Sequence, residues 1–176
     1  MLKNIGWIGT GVMGQSMAGH LIKKGGFKLN VFNRTASKAD SLVAQGAVFM
    51  PAKQIAMEAD YLFLMLGYPH DVQDMVLHPD TGICKYMKKG SYLIDHTTST
   101  PSLAKEIAEH ALKFCVHSID APVSGGDIGA KNGTLVTMCG GAKQDVEHVK
   151  PLLDLYSTQV EHMGDAGAGQ HTKAAN

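Results

Sequence analysis

The chain lacks an excess of charge of either sign: 16 Lys and Arg stand against 16 Asp and Glu, for a formal net charge of zero. That excludes the basic stripe by which most nucleic-acid binders are known, and no polyanion partner is expected. Aromatic residues are scarce, at 6%. Cysteine is scarce as well. Cys84, Cys115 and Cys139 are odd in number and far apart, which argues against a disulfide framework and for a reducing compartment. Long apolar runs are missing. The longest are of strand length, far below the roughly 18 residues a membrane span needs, so no membrane association is expected. No cleavable leader is expected either, since the first apolar strand opens close behind Lys3, and the chain reads as cytoplasmic. Nine histidines are present, but His110 and His117, or His162 and His171, miss the close spacings of metal sites, so no metal is expected.

What remains is the composition of an ordinary globular domain, 44% hydrophobic, in a chain of 176 residues. Short apolar segments alternate with stretches of helical periodicity. Ile5-Gly6-Trp7-Ile8 is wholly apolar, as a strand covered on both faces must be. Met13 to Lys24 carries Met13, Met17, Leu21 and Ile22 on one helical face and stops at Gly25-Gly26. Further strands are predicted at 27–32, 61–66, 92–94 and 115–119, with a helix over 37–45. Strands alternating with helices imply βαβ units and a parallel sheet covered on both faces. The fold class is therefore α/β, a Rossmann-like, doubly wound and mostly parallel sheet. Thr134 to Cys139 reads as an edge strand added to that core in an antiparallel sense. No repeat, low-complexity tract or linker precedes Gly164, after which a helical tail runs to Asn176.

Gly9-Thr10-Gly11-Val12-Met13-Gly14 gives G-x-G-x-x-G between the first strand and the first helix. The spacing has a mechanical reason. Gly9 makes the tight turn, Gly11 admits the pyrophosphate to the backbone, and Gly14 lets helix and strand pack closely. The helix N-terminus then offers N–H groups and partial positive charge to phosphate. After the second strand stands Asn33-Arg34-Thr35, where an NAD enzyme usually has Asp or Glu to accept from the ribose hydroxyls. Arg34 can hold a 2′-phosphate by charge-assisted bonds, with Asn33 and Thr35 as neutral partners. The expected cofactor is NADP, with NAD possible.

Four ordered segments resemble the β-hydroxyacid dehydrogenase family, which includes 3-hydroxyisobutyrate dehydrogenase, glyoxylate/succinic semialdehyde reductases and, more distantly, 6-phosphogluconate dehydrogenase. They are residues 5–14, then Asp95-His96-Thr97-Thr98-Ser99-Thr100-Pro101, then Asp120-Ala121-Pro122-Val123-Ser124-Gly125-Gly126, and finally 167–176. The resemblance spans the whole chain. It implies that 1–163 form a dinucleotide-binding Rossmann domain and that 164–176 begin the catalytic interdomain helix. An all-helical C-terminal domain, through which family members form homo-oligomers, would follow. The chain is thus expected to bind cofactor with little turnover of its own.

Lys173 matches the family's catalytic lysine, which gives a proton to the carbonyl oxygen during reduction and takes it back as base in oxidation. It lies four residues after Gly169, on one helix face, where a glycine would admit a flat nicotinamide or substrate. Ser124-Gly125-Gly126 presents successive N–H groups suited to a substrate carboxylate. Thr98 either reaches the nicotinamide or substrate with its hydroxyl or caps the helix opening at Pro101. Leu66-Gly67 stands where the family usually has Leu-Pro, facing the cofactor, so Gly67 is a departure that leaves the stiffness of this loop open. The family's substrate asparagine lies four beyond the lysine; Asn176, three beyond, is its neighbour on the motif. The implied reaction is reduction of a small carboxylated aldehyde or keto acid to its hydroxy acid. Three alternatives stay open: a non-catalytic NAD(P)-binding interaction module, a 6-phosphogluconate dehydrogenase-like enzyme, and an imine reductase, which generally lacks the lysine.

Overall fold

The computed structural model describes residues 3–176. The strands are β1 (Ile5–Ile8), β2 (Leu29–Phe32), β3 (Val48–Phe49), β4 (Tyr61–Leu64), β5 (Tyr92–Asp95), β6 (His117–Asp120), β7 (Val123–Ser124), β8 (Leu135–Gly140) and β9 (Ser157–Gly164). The helices are α1 (Val12–Lys23), α2 (Asp40–Val43), α3 (Ala52–Glu58), α4 (Pro69–Leu77), α5 (Pro101–Leu112), α6 (Gly126–Asn132), α7 (Lys143–Leu153) and α8 (Ala168–Ala175). Strands β3-β2-β1-β4-β5-β6 lie side by side in that order and all parallel. The order reverses between β1 and β4, and a crevice opens there beyond the carboxyl ends of the strands.

The two-period of the strands sorts their side chains onto two cores. Trp7 and Phe63 face the layer of α1 and α7, where Met17, Leu21, Val146 and Val149 pack. Ile8, Leu62 and Leu64 face the layer containing α3, α4 and α5, with Ile55, Val72 and Ile107. Both faces of β1 are thus dry, which is why its sequence has no polar position.

Four sequence expectations change. The strand predicted to start at Phe27 starts at Leu29, and the one from Cys115 starts at His117, because Cys115 turns into the left-handed region at φ 57°. The helix over 37–45 is a 3-10 turn, Ala36–Ala39, followed by the single turn α2. Strand β8 is antiparallel to β6 and β7, as read, but it is not an edge: β9 pairs with it in parallel on its other side. Strand β9, which no apolar alternation marks, is the outer strand beyond it. Among the described residues no helix is long and apolar enough to cross a membrane.

One polar network runs through the Trp7 core. His96 is fully buried and stacks near Trp7 and Phe63, with ring centroids 6.0 and 5.9 Å away. Its Nδ1–H donates to the Ala121 carbonyl at 2.6 Å, so Nε2 must accept, and the Tyr156 hydroxyl donates to it at 2.6 Å. Burial holds the imidazole neutral, pushing its pKa down to about 4 against the opposing Ala121 hydrogen bond. Tyr156→Phe removes the donor and leaves Nε2 orphaned. Urea unfolding is expected to show a loss of about 1–3 kcal/mol; an unchanged midpoint and slope would refute this account.

Candidate functional site

A cleft of about 650 Å³ opens at the crevice between β1 and β4, lined among others by Gly9, Gly11, Asn33, Arg34, Leu66 and Gly67. The sequence had marked all six. Gly9 adopts φ +104°, and a Cβ there would lie 2.1 Å from the Met65 carbonyl oxygen. A Cβ on Gly14 would lie 2.0 Å from the carbonyl oxygen of Gly9. On Gly11 it would meet no atom within 4 Å, so this glycine leaves its backbone open to a ligand. The Trp7 indole N–H donates to the Gly9 carbonyl at 2.9 Å, tying the turn to the core. No acidic side chain competes for the free N–H groups of the first turn of α1. Turn, helix end and cleft together fit a dinucleotide pyrophosphate.

The other marked residues divide by role. Thr10 is buried; its N–H donates to Asn33 Oδ1 at 2.9 Å, and Asn33 Nδ2 donates to the Thr35 carbonyl at 2.9 Å. Asn33 therefore ties the two loops together through both ends of its amide. Thr35 itself is exposed beside it. Val12 is exposed at the helix start, whereas Met13 packs partly into the core. Arg34 is 88% exposed, with its fork in solvent and Nη2 at 3.7 Å from Asp71 Oδ1. A Cβ on Gly67 would touch only Asp71 Oδ2, at 3.5 Å, so nothing in the packing demands glycine there. Thr98 is exposed and does not cap α5; the Thr100 hydroxyl does, accepting from Leu103 N at 3.2 Å.

A second group forms where α8 meets the sheet. Lys173 Nζ lies 3.4 Å from Ser124 Oγ, and Asn176 Nδ2 lies 3.3 Å from the same hydroxyl. The glycines after Ser124 turn the chain into α6, Gly125 at φ 133° and Gly126 at φ 62°. The expectation for Gly169 is corrected. It faces the sheet, not a ligand: a Cβ there would lie 2.5 Å from the Met138 carbonyl oxygen and 2.8 Å from that of Asp120.

What holds α8 in place was not singled out from the sequence. The buried Asp120 carboxylate accepts from Gly167 N at 2.9 Å and Gln170 N at 3.0 Å, capping the helix from β6. Gln170, also buried, accepts from Ser99 N at 2.9 Å and donates to the Thr97 carbonyl at 2.8 Å. Thr97 Oγ1 in turn accepts from Leu66 N at 2.8 Å. A continuous set of bonds thus joins the lysine helix to the strand end at the cofactor cleft. Asp95 anchors it by accepting from Thr97 N at 3.0 Å. Burial pushes the Asp95 pKa up to about 7, against the Thr97 bonds, and the charge of Asp120 adds to the rise. Asp95 and Asp120 are register partners at the ends of adjacent strands. Among the described residues no group of three or more His, Cys, Asp or Glu side chains could hold a metal.

Residues 4–164 match the family model for the NAD binding domain of 6-phosphogluconate dehydrogenase. The chain belongs to the β-hydroxyacid dehydrogenase family, as its N-terminal NAD(P)-binding domain. It is 50% identical over 173 residues to a probable 3-hydroxyisobutyrate dehydrogenase-like protein of Arabidopsis thaliana, covering 98% of this chain and 51% of the relative. Mycobacterium tuberculosis 3-hydroxyisobutyrate dehydrogenase, solved with L-serine, superposes with a TM-score of 0.92 at 29% identity, covering all of this chain and 59% of that one. Psf3, solved in complex with NADP+ and 2-OPP, also gives 0.92, at 31% identity, with 98% of this chain and 61% of that one covered. The chain spans about half to three fifths of the length of the curated relatives it matches.

Two outcomes follow from the α8 dock. Asp120→Asn turns one acceptor into a donor facing an N–H, and is expected to raise amide exchange across 167–173 while strands β1 and β4 stay protected. Exchange unchanged in that segment would show that the carboxylate does not hold the helix. Asp95→Asn keeps the acceptor for Thr97 N–H and removes the titration. Because the folded pKa of Asp95 is raised, its favourable contribution is complete below about pH 4 and is lost as pH rises through 7. The variant should therefore gain on wild type between pH 4 and 8, by a few kcal/mol at most; a difference independent of pH would contradict the burial account.

Proposed function

We propose that the protein is an NADP(H)-dependent oxidoreductase that interconverts a small carboxylated aldehyde or keto acid and its hydroxy acid, and that this chain carries its cofactor site and reactive lysine. The observation that carries the reading is the convergence of Lys173 and Asn176 on the Ser124 hydroxyl. An ammonium, an amide and a hydroxyl meeting at a glycine-rich turn offer donors to both a carboxylate and a carbonyl oxygen. A bound nicotinamide supplies the hydride in reduction and accepts it in oxidation. Lys173 holds the matching proton, which moves from Nζ to the carbonyl oxygen as charge develops there and returns in the reverse direction. Ser124 and the N–H groups of Gly125 and Gly126 orient the substrate carboxylate. Thr98, exposed on the loop after β5, is assigned in the same reading to reach the nicotinamide or substrate with its hydroxyl.

The exposed fork of Arg34 at the lip of the cleft, with no acid at the end of β2, supports a 2′-phosphorylated cofactor. Binding of NADP+ by Psf3, at 31% identity, supports the same choice. A lysine at position 173 favours an enzyme over a non-catalytic module on this fold. Oligomerisation outside this chain and a cytoplasmic setting belong to the same proposal.

The reading is tested by NADPH oxidation with the full-length protein against a panel of small carboxylated aldehydes and keto acids. Lys173→Met should lower kcat by about 10²–10⁴-fold and leave NADPH affinity unchanged. Retained turnover in that variant would remove the lysine from the chemistry. Arg34→Ala should cut the ratio of NADPH to NADH affinity by about tenfold or more; an unchanged ratio would overturn the NADP assignment.

A further inference from the structure

The cleft holds an acid that the sequence pattern does not place near the cofactor. Asp71 lies in the first turn of α4, across from the loop that follows β2, and both Asp71 and Arg34 line the cleft. Its Oδ1 is 3.7 Å from Arg34 Nη2 and 3.5 Å from His70 Nε2. Its Oδ2 accepts from the Tyr68 N–H at 3.1 Å, while the Asp71 N–H donates to the Tyr68 carbonyl at 3.1 Å, so the carboxylate is tied to the start of α4. The two charges are therefore unequal in freedom. Asp71 is 17% exposed and fixed by the helix cap, while Arg34 is 88% exposed on a long, flexible stem. The pair forms by the arginine coming to the acid.

We propose that Asp71 is a specificity-determining residue for the cofactor, competing with a ribose 2′-phosphate for Arg34. The inference rests on the reading of Arg34 as the phosphate ligand. A phosphate bound by the Arg34 fork must either take the fork from Asp71 or share it, and in both cases it comes close to a carboxylate that cannot swing aside without uncapping α4. Like charges at such distances repel even under solvent screening. A 2′-hydroxyl meets the opposite situation. It carries no charge, so it neither needs the Arg34 fork nor meets this repulsion. Asp71 thereby restrains the preference that Arg34 creates and keeps NAD(H) a usable ligand.

The test is the dissociation constant of NADPH and of NADH, read from nicotinamide fluorescence at fixed ionic strength. It is measured on the full-length protein as wild type, Asp71→Asn, Arg34→Ala and the double variant. Asparagine keeps an acceptor for the Tyr68 N–H, and Asp71→Gln is a second neutral variant suited to the same capping position. Asp71→Asn is expected to raise the NADPH to NADH affinity ratio about five- to tenfold, and the gain should vanish when Arg34 is alanine. If Arg34→Ala lowers the ratio while both neutral Asp71 variants leave it unchanged, the competition is absent and the assignment of Arg34 stands. If Arg34→Ala leaves the ratio unchanged, the phosphate reading and this inference fall together. A gain that persists without Arg34 would also overturn the competition, since Asp71 would then act on the cofactor directly.

Discussion

The carboxylate of Asp120 is the point on which the two halves of the site depend. It ends β6 and points across the sheet end to two backbone N–H groups at the start of α8. Room for it comes from two glycines. A Cβ on Gly140 would lie 2.5 Å from Asp120 Oδ1, and one on Gly169 would lie 2.9 Å from Oδ2. A charged acceptor at a helix N-terminus meets both the unpaired donors and the positive end of the dipole, worth up to about 2 kcal/mol when partly buried. That interaction sets the axis of α8, and the axis brings Lys173 to Ser124.

The cofactor side is held by the same logic of backbone groups satisfied from a distance. Trp7 ties the glycine turn to the core, Asn33 ties it to the loop after β2, and Thr97 ties the end of β4 to β5. Few of these side chains are expected to touch a ligand. They position main chain, and main chain is what a pyrophosphate and a carboxylate are recognised by. Gln170 connects the two sides, so that the lysine helix and the cofactor strand end are ordered together. Buried acid and buried base then sit in one molecule with opposite pH preferences. Asp95 favours lower pH, whereas the neutral His96 contributes fully above about pH 6.5 and loses its contribution as pH falls toward 4.

The legibility of the fold varied with burial. Strands β1, β4 and β5 are covered on both faces, so their apolar runs announced them; β9 is exposed along much of its length and carried no such signal. The helix predicted over 37–45 failed for a related reason. Only Ala39 and Leu42 are buried there, too little apolar contact to carry a full α-helix through 36–43. Gly169 shows the complementary error. A glycine four residues from a reactive lysine looked like an opening for a ligand, but helix spacing says only that two residues lie near one another on the surface, not what that surface faces.

The sequence by itself determined the glycine turn, the alternation of strand and helix, and the family. Each of those is a local pattern, or a set of local patterns in a known order, and local patterns are what spacing and residue type encode. Only the tertiary structure decided what those residues face. It placed Asp71 against Arg34, tied Asn33 to Thr10, and put Asp120 under α8. The reason is physical. Charge pairing and capping depend on distances across the sheet end, between residues as far as 50 positions apart, and no periodicity along the chain carries that information.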